Sequence, residues 1–199
     1  MRGKPHRFHV AILALALLTA ILTQPHATAA SRTRLQEDEI KAGFIYNFLL
    51  FTKWPDTDTG AKTLRIGILG EDGVGAALLP LESMTVGNRE VRLVRIEKDT
   101  SADLIRACDL VFFHASADDA DRVLAILAGH PIVTVGEDPG FLEKGGMINL
   151  LQRGDSVKFE VNAVTAEGAG IRFRAKMLRL AIRVLSSTDI PGSDSGRQR

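Results

Sequence analysis

The sequence predicts an α/β fold: one compact domain with a largely parallel sheet, helices on both faces and an antiparallel hairpin near the C-terminus. Three observations point there. From Leu64 onward, short apolar runs alternate with helical segments, which is the pattern of βαβ units. Leu110-Val111-Phe112-Phe113 and Ile132-Val133-Thr134-Val135 are apolar with little alternation, as strands buried on both faces are. Met147-Ile148-Asn149-Leu150-Leu151 and Val157-Lys158-Phe159-Glu160-Val161 flank a Gly154-Asp155 turn and form the hairpin.

The elements follow in chain order. Ile40, Phe44, Phe48 and Phe51 recur at helical spacing, and Ile45 and Leu49 widen the stripe, so residues 40–54 predict a helix buried on more than one side. Glu37, Asp38 and Glu39 fall in its expected first turn, where they favour the positive end of the dipole, and Pro55 stops it. A polar loop, residues 56–62, precedes a strand at 64–70, a short helix at 74–81 and a half-exposed strand at 91–96. A helix at 102–107, a strand at 110–113, a helix at 118–128 and a strand at 132–135 lead to the hairpin. Helix is expected again from about Asn162, with a break at 168–170, resuming to about Leu185. The polar tail, residues 187–199, is expected to be disordered.

Composition narrows the class. With 199 residues, 25 Lys+Arg against 24 Asp+Glu, 45% hydrophobic residues and one Cys, the chain is neither collagenous, disulfide-stapled nor disordered. A net charge of +1 gives no argument for nucleic acid as a partner. Arg2, Lys4 and Arg7, an apolar run at residues 10–22 and Ala27-Thr28-Ala29 read as a secretory signal peptide over residues 1–29, cleaved near Ala29. Gln24-Pro25-His26 interrupts the run well short of the roughly twenty apolar residues a membrane anchor needs. The exported chain then carries a charge of about −2, with residues 35–186 as its domain and the periplasm or cell exterior as its compartment. Cys108 is the lone thiol there: a small buried hydrophobe, or a redox or intermolecular thiol.

No catalytic residue, metal ligand set or cofactor site emerges. Gly70-Glu71-Asp72-Gly73-Val74-Gly75 lacks the Lys-Ser/Thr of a phosphate loop, and its acids would repel a pyrophosphate. The exported chain keeps His114 and His130, with no zinc spacing, and Gly-x-Ser-x-Gly is absent. Glu71, His114 and Glu137 follow strands, where open α/β sheets place their crevice, so they are the candidate ligand-contact residues. In the last expected helix Arg172, Lys176, Arg179 and Arg183 fall at intervals that put four cations on one face, with Met177, Leu178, Ala181, Ile182 and Leu185 toward the core. Such a stripe either is solvated or docks an acidic partner, anionic lipid or glycan.

Several motifs in order resemble one family. Lys41-Ala42-Gly43-Phe44-Ile45-Tyr46-Asn47-Phe48 with Phe51-Thr52-Lys53-Trp54-Pro55 resembles the opening signature of the YfiR/HmsC family of periplasmic proteins. Ala107-Cys108-Asp109-Leu110-Val111-Phe112, Pro131-Ile132-Val133-Thr134-Val135-Gly136-Glu137, Pro139-Gly140-Phe141, Gly145-Gly146-Met147-Ile148-Asn149-Leu150 and Phe159-Glu160-Val161-Asn162 extend the likeness to about Leu185. The resemblance implies a non-enzymatic regulator that restrains an inner-membrane diguanylate cyclase through the cyclase's periplasmic part, lowering cyclic-di-GMP and biofilm formation. It also implies sequestration by an OmpA-like outer-membrane lipoprotein and a homodimer in some members. Family members that use disulfides differ from this chain, whose single Cys cannot close one. The expected partner groove is Ile171, Phe173 and Met177 beside Arg172, Lys176 and Arg179. Two other classes fit the residues: a periplasmic sensor of a small ligand or peptidoglycan fragment, and a structural subunit of an envelope complex.

Overall fold

A long helix, α1 (Ala27–Phe51), opens the fold. The computed structural model describes residues 27–55, 61–70, 73–115 and 117–187, with side chains from residue 33 onward. Most of the expected leader, the expected tail, Glu71, Asp72 and Ser116 lie outside the described residues. The chain divides into two units, residues 1–34, of which the first turns of α1 are described, and Leu35–Arg199, which carries every other described element. Among the described residues no helix is long and apolar enough to cross a membrane.

The buried stripe of α1 is Asp38, Ala42, Ile45, Phe48 and Leu49, whereas Ile40 is 43% exposed. Helical spacing alone therefore selects the right element and, at Ile40, the wrong face. Because α1 begins at Ala27, Glu37, Asp38 and Glu39 sit within it rather than in its first turn, and the expected dipole role does not apply. Asp38 is buried instead, against Gly73, where an added Cβ would come within 1.9 Å of its carboxylate oxygen. A side chain at position 73 would have to displace the Asp38 carboxylate. The helix ends as Thr52 Oγ1 donates to the Phe48 carbonyl at 2.6 Å, and Thr52–Lys53 continue as a short strand, β1.

The remaining elements are β2 (Thr63–Leu69), α2 (Gly73–Leu78) with a 3-10 turn at Leu79–Leu81, β3 (Thr85–Val86), β4 (Arg89–Ile96), α3 (Ala102–Arg106), β5 (Leu110–Phe113), α4 (Ala120–Leu127), β6 (Val133–Gly136), β7 (Ile148–Arg153), β8 (Ser156–Asn162), α5 (Ala163–Gly168), β9 (Arg172–Phe173), α6 (Ala175–Leu178) and β10 (Arg183–Leu185). Eight strands form one sheet in the order β10-β8-β7-β6-β5-β2-β4-β3. The run β7-β6-β5-β2-β4 is parallel throughout, and β7 pairs with β8 as the expected antiparallel hairpin. The predicted α/β fold is therefore the observed one. A second small hairpin, β3 with β4 around Gly87-Asn88, closes the far edge.

Alternation along each strand feeds two core layers. Leu110 and Phe112 face the layer beneath α1, where Phe44 and Phe48 pack on Phe159 of β8 with ring centroids 5.6 and 5.1 Å apart. Val111 and Phe113 face the layer beneath α3 and α4. Cys108 belongs to that second layer, 4% exposed, beside Gly67, where a Cβ would lie 3.0 Å from its Sγ. Burial, reinforced by the Asp109 charge, pushes the thiol up to about 11. The buried-hydrophobe reading of Cys108 thus holds, and a practical consequence follows. At pH 8 the native protein is expected to resist a thiol-reactive disulfide reagent and to react at once in denaturant; rapid native labelling would contradict this placement.

Candidate functional site

The strand ends and the segment after Asn162 carry every residue the sequence singles out, and the structure treats them differently. His114 follows β5 and Glu137 follows β6, neighbouring parallel strands, so their side chains meet: His114 Nε2 lies 3.2 Å from Glu137 Oε1. The same oxygen accepts the Ala115 N–H at 3.1 Å. The other, Oε2, accepts Lys41 Nζ at 2.6 Å, and Lys41 also meets Glu37, one helical turn back, at 2.7 Å. Glu137 and Lys41 are only 8% and 12% exposed at their side chains. Burial alone would lower the Lys41 pKa, but its hydrogen bonds to Glu137 and Glu37 and their charges outweigh that and hold it above the ordinary lysine value.

Both oxygens of Glu137 are thus engaged, and the cluster works as an electrostatic tie that fastens α1 across the carboxyl ends of β5 and β6. Lys41 is the member that reading the residues one by one misses. Its signals in the sequence are the Glu37-to-Lys41 spacing of four and its place at the head of the first motif. Glu71, the third residue of the expected crevice, lies outside the described residues. The cavity at the ends of β2 and β4, about 510 Å³, is lined by Leu69, Gly70, Arg95, Lys98, Asp118 and Asp119 among others, and neither His114 nor Glu137 is among its described lining. No group of three or more His, Cys, Asp or Glu among the described residues is placed to hold a metal ion.

The C-terminal segment departs from expectation in its secondary structure. Instead of one resumed helix, the chain turns at Gly170, φ +77° and packed on Pro55, and enters β9, which pairs antiparallel with β1. Thr52 faces Phe173 and Lys53 faces Arg172 in that register. A four-residue helix follows, and β10 then runs parallel to β8 at the sheet edge. The four cations therefore do not form a stripe on one helix. Arg172 is in a strand, Lys176 lies over the Phe51 ring at 5.4 Å, and Arg183 bridges Glu143 and Glu160 at 3.0 Å each. Strand pairing with distant partners has overridden a helical spacing of charges.

Burial divides the expected partner groove. Ile171 and Met177 are 0% and 2% exposed and belong to the core layer beneath α1, so their side chains are not offered to a partner. Phe173 is half-buried, and Arg172, Lys176 and Arg179 are exposed. Leu180 and Ile182, 64% and 50% exposed, add apolar surface, so Ile182 does not face the core as its helical spacing predicts. What this end of the molecule presents is an exposed cationic and aliphatic strip from Arg172 to Ile182.

The structure resembles solved proteins at low identity. A conserved domain protein from Vibrio cholerae O1 biovar El Tor strain N16961 aligns with TM-score 0.50 and 10% identity over 74% of this chain and 60% of its own. The ABC domain from Streptococcus pneumonia in complex with L-Trp aligns with TM-score 0.46 and 11% identity over 64% and 56%. The chain spans less than two thirds of the length of each of these two, and the first likeness concerns the fold alone. No curated protein matches the sequence significantly. The family model described as YfiR/HmsC-like matches residues 38–182, which runs from the buried Asp38 of α1 to the start of β10 and takes in the Lys41–Glu137 tie; the chain belongs to the YfiR/HmsC-like family.

Proposed function

We propose that the protein is a periplasmic regulator that binds the periplasmic part of an inner-membrane diguanylate cyclase and restrains it, lowering cyclic-di-GMP and biofilm formation. The observation that carries this reading is the family match over residues 38–182, because the family is one of periplasmic regulators rather than catalysts. The contact surface in this reading is the exposed strip of Arg172, Phe173, Lys176 and Arg179, extended by Leu180 and Ile182. Exposed aliphatic residues among cations suit a partner with a small apolar patch rimmed by carboxylates. Self-association and capture by an OmpA-like outer-membrane lipoprotein belong to the same reading.

The test is a pull-down of the cognate cyclase's periplasmic domain by the full exported chain, comparing wild type with Leu180→Asp and with an Arg172/Lys176/Arg179 triple alanine. Binding is expected to fall about ten-fold or more in each variant, as loss of a central apolar anchor or of several steering charges does. Wild-type protein that captures no cyclase domain would remove the reading. Full binding by folded variants would move the surface elsewhere and leave the restraint itself standing.

A further inference from the structure

The amino ends of β2, β4, β5 and β6, opposite the Glu137 tie, open onto a cavity of about 620 Å³. We propose that this cavity is a binding site for a small organic polyanion carrying carboxylate or phosphate groups. The inference stands independently of the cyclase reading, since it rests on the charges and donors in the cavity wall.

Among the lining residues are Trp54, Lys62, Arg65, Arg89, Arg106 and His130, with Asp109 as the acid. That acid is already taken. Arg89 pairs with it and also donates Nε and Nη2 to the Thr63 carbonyl at 3.1 and 2.6 Å, while Asp109 Oδ2 accepts the Arg65 backbone N–H at 2.8 Å. Arg89 and Asp109 thus neutralise one another and build the wall. The Lys62 and Arg65 side chains have no hydrogen bond or ion pair among the described residues, and Arg106 has only Asp103, 3.5 Å away and almost wholly exposed.

His130, also in the wall, has its Nδ1 3.1 Å from the Ala128 carbonyl oxygen. Trp54 Nε1 is buried with no hydrogen-bond partner, and an indole nitrogen can only donate. Among the described residues the cavity wall therefore holds three cations with no buried counter-charge, Lys62, Arg65 and Arg106, and one of its lining residues, Trp54, carries an indole N–H without a partner. Arg106 in the last turn of α3 also suits that helix's negative end, but Lys62 precedes a strand and Arg65 lies within it, where no helix dipole accounts for them. The Trp54 ring, Pro55, Pro131 and Ile132 supply apolar wall beside these donors, which suits an organic framework bearing the anionic groups.

Trp54 is the single tryptophan of the chain, so its fluorescence reports on this cavity directly. The experiment titrates the full exported chain with citrate and, separately, with pyrophosphate at constant ionic strength. It is repeated with Arg65→Gln/Arg106→Gln and with Lys62→Gln, whose exposed side chains leave the fold intact by circular dichroism. A saturable change below about 10 mM with either probe, weakened about ten-fold or more in the double variant, is expected; the responding probe tells carboxylate from phosphate recognition. Absence of a saturable change with both probes overturns the site. So does a change that persists undiminished in the folded variants; should the double variant fail to fold, Lys62→Gln alone decides, with weakened binding expected and unaltered binding contradicting.

Discussion

Glu137→Ala is expected to cost about 3 kcal/mol of folding stability, because it strands a nearly buried Lys41 and takes the acceptor from His114 and the Ala115 N–H together. Glu37 still meets Lys41, which keeps the loss toward the lower end for a broken buried pair. Glu137→Gln retains an oxygen for Ala115 and should cost roughly half as much. Lys41→Met combined with Glu137→Leu should recover the part of the loss that comes from stranding the Lys41 charge, while the Ala115 N–H and His114 stay without their acceptor. Urea denaturation reads all three. A Glu137→Ala variant within about 0.5 kcal/mol of wild type would mean that the tie is solvated and contributes nothing. The pH dependence has a definite sign. The Lys41 pKa is raised on folding, so its contribution is fully present below the ordinary lysine value of 10.5 and is lost as pH rises through the folded value.

Phe141→Ala and the two glycines around that ring should show the largest coupled effects in the domain. Phe141 is 2% exposed, and its ring fills the space above Gly136 and Gly146. A Cβ at Gly136 would meet the ring at 2.5 Å, and one at Gly146 would meet it at 2.2 Å and the Phe141 carbonyl oxygen at 2.7 Å. Gly146 N–H donates to that same carbonyl at 2.9 Å, so the backbone there cannot yield without losing a bond. Phe141→Ala is expected to cost about 3–5 kcal/mol through the cavity it leaves, and Gly136→Ala about 3 kcal/mol through overpacking. Together they should cost clearly less than separately, because the new methyl enters space the ring has vacated. At Gly146 the backbone oxygen stays in place, so removing the ring should rescue Gly146→Ala less. Strict additivity at Gly136, measured by denaturant titration, would contradict the clamp.

The central strands were legible because strands buried on both faces leave continuous apolar runs, and β5 and β6 are buried at every position. The β7–β8 hairpin was legible through Gly154, which adopts φ +57° in its turn. Both signals are local. The small sheet of β1 with β9 and the edge strand β10 are made by pairing between residues far apart in sequence, so the spacing of Arg172, Lys176, Arg179 and Arg183 imitates a helix that does not form. Ile40 misled for a related reason: spacing identifies a helix and its stripe, but the face that packs on the sheet runs through Asp38, Ala42 and Ile45 and leaves Ile40 outside it. At the site, His114 and Glu137 could be placed together from their positions after adjacent strands. Lys41 could not, since only the packing of α1 over the sheet brings it within 2.6 Å of Glu137. The motifs that carry the family likeness are thus in part contacts: Lys41 with Glu137, and Phe141 with Gly136 and Gly146.

Cellular cyclic-di-GMP, measured after deleting the gene in cells that express the cognate cyclase, tests the regulator reading most directly. Cyclic-di-GMP is expected to rise, and the wild-type gene to reverse the rise on complementation. An unchanged level, with the cyclase confirmed present in the membrane, would contradict it.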